Sequence, residues 1–293
     1  AYNLTQPYFQ SAGYRPKTVA KRISRGSNSV LIGMTHDGIT IAFRGKQTSN
    51  PLDWIQNAAL FLTPVGDRTG FKGKMHASFY RSTKSLWKPL KEVLMDMLKI
   101  SKEEGWKQDV YFTGHSKGGA MASVAALLMK RDGDFPDPAY VCTFGSAKVG
   151  DSEFRDYFNK KISQTSYEAH LDIVPFLPPS ASTMGNMNDD LSEIINGLLW
   201  SEKSSNKKNN YKWDYQTVGK RKFINEFAKI SDEDVTRELD SRRIRDIEKG
   251  TGLSLADFRA AHCSSCTDDG CYGYYFKAVG ENSCVVCGDN DYP

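Results

Sequence analysis

Long apolar runs are missing from this chain of 293 residues. The longest, Gly118 to Met129, spans twelve residues and carries a serine, so no segment is long enough to cross a bilayer as a helix. Charge of one sign is also scarce. Thirty-nine Lys and Arg against thirty-five Asp and Glu leave a formal charge of +4. That is a weak field, not the concentrated basic footprint of a nucleic-acid binder, so nucleic acid is not an expected partner. A local exception is Lys203, Lys207, Lys208, Lys212, Lys220, Arg221 and Lys222, which reads as a solvated loop with the alternative of touching an anionic lipid surface. Internal repeats are absent. With 39% apolar and 12% aromatic residues, disorder, collagen and coiled coil are excluded, and the chain is long enough to bury a sizeable core.

Cysteine is nearly absent from the body of the chain, where Cys142 stands alone in an apolar run. Cys263, Cys266, Cys271, Cys284 and Cys287 crowd the C-terminal tail. Two arrangements compete. Cys263-x-x-Cys266 and Cys284-x-x-Cys287, with seventeen residues between the pairs, have the spacing of a zinc ribbon. Disulfides are the other reading, and the expected one. Asn3-Leu4-Thr5 is a glycosylation acceptor, and a first residue Ala1 fits a mature product whose signal peptide has been removed, which together imply secretion. Five tail thiols being odd, one would pair with Cys142 or stay free.

Two β-branched runs, Ser29 to Thr35 and Ile39 to Phe43, flank Asp37-Gly38 and predict a hairpin. Leu86, Leu90, Val93, Leu94, Met97 and Leu98 recur at helix spacing within 80–104, with Gly105 as the stop. Then follow a short apolar strand at 109–113, a small-residue helix at 118–129, a buried strand at 140–144, a helix at 151–161 and a strand ending near 170. This alternation predicts an α/β fold of three layers with a mostly parallel central sheet. Beyond Pro179 the pattern loosens into a short helix at 190–200, a strand within 211–224 and a charged helix at 238–249. One domain is expected over 1–293, with its core at about 28–180 and 211–276 and a Cys-rich tail at 263–293.

Gly114-His115-Ser116-Lys117-Gly118 is the single G-x-S-x-G of the chain. The pentapeptide alone proves little. Its setting does more: an apolar strand enters it and a small-residue helix leaves it, as a nucleophile elbow requires. A serine hydroxyl needs a base, and the base an orienting carboxylate. In this fold class they follow in the order Ser, acid, His. Only His170 and His262 follow Ser116. His170, two residues before Asp172 at a strand end, reads as structural, while His262 lies after Ala261 in a loop and is the expected general base. Asp172, opening Asp172-Ile173-Val174-Pro175 at a strand's carboxyl end, is the expected acid.

The oxyanion hole needs two N–H donors. Lys117 follows the nucleophile and Lys46 follows Gly45, so their backbones are the candidates. Directly beyond, Pro51, Leu52, Trp54 and Ile55 open a short helix apolar on one face. A hinged helix of this kind beside the site would be a lid. Exposing its large apolar side chains to water would cost about 1.5 to 3 kcal/mol each, a cost that an oil or membrane surface removes.

Phe43-Arg44-Gly45, Trp54, Lys74-Met75-His76, Thr113-Gly114-His115-Ser116-x-Gly118-Gly119, Thr143-Phe144-Gly145-Ser146 with Val149-Gly150, and Asp172-Ile173-Val174-Pro175 together resemble the class 3 lipases. These are α/β-hydrolases that include secreted fungal triacylglycerol lipases, with plant phospholipases and feruloyl esterases among their relatives. The resemblance runs from about residue 30 to 179 and resumes weakly from 211 to 276. It implies Ser116 as nucleophile, Asp172 as acid, His262 as base, and a hole formed by the backbones of Lys46 and Lys117. Three departures stand out. Lys46 replaces the usual Ser or Thr, Lys117 replaces a common Leu, and cysteines follow His262 where the family places a short aromatic segment. The two lysines suggest a preference for anionic head groups, and the cysteines a tether for the loop of the base.

The resulting expectation is a monomeric, secreted, lid-gated ester hydrolase that works at a lipid–water interface or membrane surface on acylglycerols. It would need no cofactor and no metal for its chemistry. Phospholipase A or a soluble esterase would use the same triad. A catalytically silent hydrolase-fold binding module is the reading of another class.

Overall fold

The computed structural model describes residues 20–35, 37–45, 69–188, 214–231, 234–250, 265–267, 270–272 and 275. Seven strands form one sheet: β1 (Lys21–Arg25), β2 (Asn28–Met34), β3 (Ile39–Phe43), β4 (Val110–His115), β5 (Tyr140–Phe144), β6 (Gln164–Ala169) and β7 (Lys220–Ile224). They lie side by side in chain order. β1, β2 and β3 pair antiparallel, and every later pairing is parallel. The expected β2–β3 hairpin is present, and its turn is closed by Thr35 N–H donating to Gly38 O at 2.7 Å. β1 was not legible in advance, since Lys21, Arg22, Ser24 and Arg25 give it no apolar alternation.

Helix α1 (Ala77–Glu103) and helix α2 (Lys117–Asp132) pack on each other and on the sheet. α1 buries Leu86, Leu90, Leu94 and Met97 of the stripe that the sequence spacing marks, together with Trp87, while Val93 and Leu98 are partly buried. α2 has buried residues from Gly118 through Met129 without a break. A helix apolar all round is a buried helix, and its small residues let it lie close to β3, β4 and β5. Shorter helices follow: α3 (Ser152–Asn159), α4 (Ala181–Gly185) and the charged α5 (Arg237–Gly250). The expected strand within 211–224 shortens to β7, preceded by isolated bridges at Asp214 and Gln216. The expected helix at 190–200 lies outside the described residues.

Side chains alternate between the two faces of a strand. On β5 and β6 one face carries Thr143, Gln164 and Ser166, joined in a buried hydrogen-bond chain that reaches Ser123 of α2. The other face carries Phe144 and Ala169, which form a separate apolar cluster with Ile224 and Tyr275. The sheet is thus covered on both sides at β5 and β6. Near the tail a small antiparallel hairpin joins β8 (Ser265–Thr267) to β9 (Gly270–Tyr272) and sets Cys266 opposite Cys271 in the backbone register.

Two sequence motifs meet in space. Met75 bridges Gly150, His76 N–H donates to Val149 O at 2.8 Å, and Asp151 N–H donates to Lys74 O at 2.9 Å. His76 then caps α1 through its ring, which accepts from Ser78 N–H at 3.3 Å. This histidine is buried scaffolding that anchors the start of α1.

Candidate active site

β4 runs directly into Ser116, and α2 begins at Lys117. Ser116 has φ 58° and ψ −129°, a conformation that a side chain with Cβ avoids unless its surroundings enforce it. The enforcement is visible. Ser116 N–H donates to Phe144 O on β5 at 2.9 Å, and Gly119 N–H donates to Ser116 O at 3.0 Å. The hydroxyl makes no capping hydrogen bond to α2, so the residue is not acting as an ordinary helix cap. Gly118 is needed for the close approach. A Cβ there would lie 2.2 Å from Phe43 O and 2.8 Å from Arg44 C, so the first turn of α2 rests on the backbone at the end of β3.

That contact brings the Arg44-Gly45 segment against the serine. A Cβ on Gly45 would sit 3.0 Å from His115 O and 3.4 Å from Ser116 Cβ. Lys117 is the first residue of α2, where the backbone N–H has no acceptor within the helix and the positive end of the helix dipole lies. Its side chain turns toward β2, with Nζ donating to Asn28 Oδ1 at 2.7 Å. Its ammonium thus donates to Asn28 on β2 and keeps its charge, which is half of the basis for the expected preference for anionic head groups. Lys46, the other half, lies outside the described residues.

Asp172 is fully buried just beyond the carboxyl end of β6, the same edge to which β4 delivers Ser116. Its N–H donates to Ala169 O at 3.2 Å, and Oδ1 accepts from Val174 N–H at 2.9 Å. The second oxygen, Oδ2, accepts from the Tyr275 hydroxyl at 2.5 Å. That hydroxyl in turn accepts from Ala169 N–H at 3.0 Å. Burial and the neighbouring carboxylate push the Tyr275 phenol well above its ordinary range, which keeps it a donor. The ring sits edge-on to His115 at 5.6 Å and to Phe144 at 6.2 Å. Tyr275 thus spans the end of β4 and the Asp172 carboxylate.

No expectation placed Tyr275 here. The available signal was the aromatic run 272–276, which follows the β8–β9 hairpin, whereas the class 3 lipases carry a short aromatic segment directly after the base. His262, Pro51, Leu52, Trp54, Ile55, Asn3, Cys263, Cys284 and Cys287 lie outside the described residues. Cys142 is a free thiol, with burial raising it to about 11.

His170 points elsewhere, as its structural reading required. Its Nε2 lies 3.3 Å from Asp246 Oδ2 on α5, and its ring stands beside Phe223. Burial lowers its pKa, against the opposing pull of Asp246. Below the Asp172 turn lies a buried ion network. Glu168 accepts from Arg221 at 2.7 Å through each oxygen and from Arg243 at 2.8 Å. Burial alone would raise the Glu168 carboxyl, but the two arginines outweigh it and hold it at about 2. Arg243 also donates to Ala169 O at 3.0 Å, the carbonyl that accepts from Asp172 N–H. The network therefore braces the turn that carries Asp172.

A strained serine at a strand-to-helix turn, a glycine-bearing loop against it and a buried carboxylate on the same edge of a mostly parallel sheet define an α/β-hydrolase. The sequence model of the family Lipase (class 3) matches residues 40–182, the family that the chain's motifs resemble. A lipase of Rhizomucor miehei is 32% identical over 168 residues, which are 56% of this chain and 44% of that protein. A secreted mono- and diacylglycerol lipase of Fusarium solani is 43% identical over 68 residues, 23% of this chain and 20% of its own length. The chain spans less than half the length of the curated relatives it matches. The solved triacylglyceride lipase of Rhizomucor miehei shares the fold, with TM-score 0.50 and 22% identity over 83% of this chain and 80% of that one.

Proposed function

We propose that this protein is a secreted, monomeric serine hydrolase of carboxylic esters that releases fatty acids from acylglycerols at a lipid–water interface. The observation that carries the proposal is Ser116 held at φ 58° with the backbone of Gly45 against it and Asp172 buried on the same edge. Ser116 Oγ attacks the ester carbonyl while the imidazole of His262 takes its proton, and Asp172 orients and stabilises that imidazole. The tetrahedral oxyanion is received by the backbone N–H groups of Lys117 and Lys46. Collapse expels the alcohol, protonated by His262, and leaves an acyl-enzyme. Water, activated by the same base, then releases the acid.

Several features support the narrower parts. The names of the Fusarium and Rhizomucor relatives support acylglycerols as the substrate class. The apolar segment Pro51, Leu52, Trp54 and Ile55 supports an interface-dependent lid. The relative described as secreted and the acceptor Asn3-Leu4-Thr5 support export, in which disulfides among the tail cysteines are allowed. A single domain over 1–293 is supported by the seven-stranded sheet, which draws its strands from residues 21 to 224. The test has two arms. A fluorophosphonate probe should label the protein and not Ser116→Ala, and an emulsified acylglycerol should be hydrolysed faster per enzyme than a monomeric short-chain ester. Labelling that survives Ser116→Ala would sink the assignment. A preference for the monomeric ester would leave an esterase without a lid.

A further inference from the structure

A cavity of about 300 Å³ opens beside α4 and the start of α5, and it shares no lining residue with the elbow or with Asp172. Its charged lining consists of Lys148, Arg155, Arg221 and Arg237 against one acid, Asp240. Asp240 and the neighbouring Glu168 are already committed, since Arg221 donates to both carboxylates at 2.7 to 2.8 Å and Arg243 to both at 2.8 to 3.3 Å. Lys148 is only 7% exposed. Among the described residues its Nζ has one acceptor, Thr183 Oγ1 at 3.0 Å.

An ammonium carries three N–H donors, and a buried cation without a counter-charge is costly. Burial first, and then the charge of Arg221, lower Lys148 to about 7 against the pull of Glu168 and Asp240. A second feature converges on the cavity. Thr236 and Arg237, both in its lining, form the N-terminus of α5, where Thr236 Oγ1 accepts from Leu239 N–H at 3.2 Å. Backbone N–H groups and the helix dipole favour an anion at such an end, where the exposed Glu238 carboxylate already takes one backbone N–H. The Ser182 hydroxyl adds a donor, that of Thr236 being held by the Glu238 carboxylate, while Phe176, Val235 and Ile244 are too few to house an acyl chain.

We propose that this cavity binds a phosphate-type oxyanion, either inorganic phosphate or the phosphate of a small polyol ester, with Lys148 Nζ as the central donor and Arg237 at the mouth. The bound anion supplies the counter-charge that Glu168 and Asp240 cannot. Binding draws a proton onto Lys148, so affinity for sulfate, whose own charge is constant, falls as pH rises from about 6 to about 8. Besides Arg221 and Asp240, the charged residues that share the cavity lining with Lys148 are Arg155 and Arg237.

The test is calorimetric titration of the full chain, carried on Ser116→Ala as well as on the unaltered protein so that the outcome is independent of ester hydrolysis. Inorganic phosphate and glycerol phosphate should bind and raise Tm above that in chloride of equal ionic strength. Lys148→Met should weaken binding by about tenfold or more, in line with loss of a charged hydrogen bond. Arg237→Ala, an exposed change that leaves the unliganded Tm intact, should weaken it several-fold and keeps the test decisive if Lys148→Met fails to fold. Binding confined to vesicles with phosphatidic acid over phosphatidylcholine, and weakened in Arg237→Ala, would assign the same site to a lipid headgroup. Neither soluble phosphate nor such vesicles binding better than their controls, or Arg237→Ala binding as the unaltered protein does, would overturn the proposal.

Discussion

Replacing Tyr275 by Phe removes a single oxygen from the wall of the site. The ring keeps its contacts with His115 and Phe144, so packing is conserved. What disappears is the donor to Asp172 Oδ2 at 2.5 Å and the acceptor for Ala169 N–H at 3.0 Å, both fully enclosed. A hydrogen bond to a charged group contributes about 1.5 to 3 kcal/mol, and a buried N–H left without a partner costs about 1 to 3 kcal/mol. Taken together, Tyr275→Phe should lower stability by about 2.5 to 6 kcal/mol. Urea unfolding of the two proteins reads this as a lower midpoint with an unchanged slope. Activity should fall as well. The carboxylate loses one of its fixed contacts, and displacement of an orienting group by about an ångström costs on the order of a hundredfold. On a soluble ester the loss should appear in kcat with KM little altered. A destabilisation below about 1 kcal/mol together with unchanged kcat would refute the idea that this hydroxyl holds the acid.

Three further outcomes are expected. Glu168 is held at about 2 against an ordinary 4.5, so its contribution is complete above the unfolded value and is lost as pH falls through the folded one. This gap corresponds to roughly 3 kcal/mol, and Glu168→Gln should flatten the acid limb of a stability–pH profile between about pH 4.5 and 2. Gly118→Ala places a carbon 2.2 Å from Phe43 O; it should cost about 1 to 3 kcal/mol and suppress ester hydrolysis, and an active, stable variant would show that the elbow does not need this contact. Cys142, raised to about 11 by burial, should resist alkylation at neutral pH in the folded protein and react on addition of denaturant. Rapid labelling of the native state would contradict its enclosure.

Period and punctuation made much of the fold legible. The stripe of α1 and the apolar β4 followed by the small-residue α2 were readable because burial there is set by local pattern. The placement of Ser116 at a strand-to-helix turn and of Asp172 just past a strand's carboxyl end followed from the same logic. β1 escaped because its partner lends it a place that its own residues do not request. Tyr275 escaped for a related reason: its contact to Asp172 spans 103 positions, and no spacing rule reaches so far. The Glu168–Arg221–Arg243 network was hidden in a basic stretch that looked like a solvated loop, although Arg221 folds inward to two carboxylates.

The meeting of α2 with the end of β3 is made of main chain on both sides, through Gly118 against Phe43 and Arg44. A joint without side chains is blind to what its neighbours carry, which is why a lysine can occupy position 117 and send its charge off to Asn28. Side chains at the rim can then change while this main-chain joint stays in place, provided that position 118 keeps its glycine.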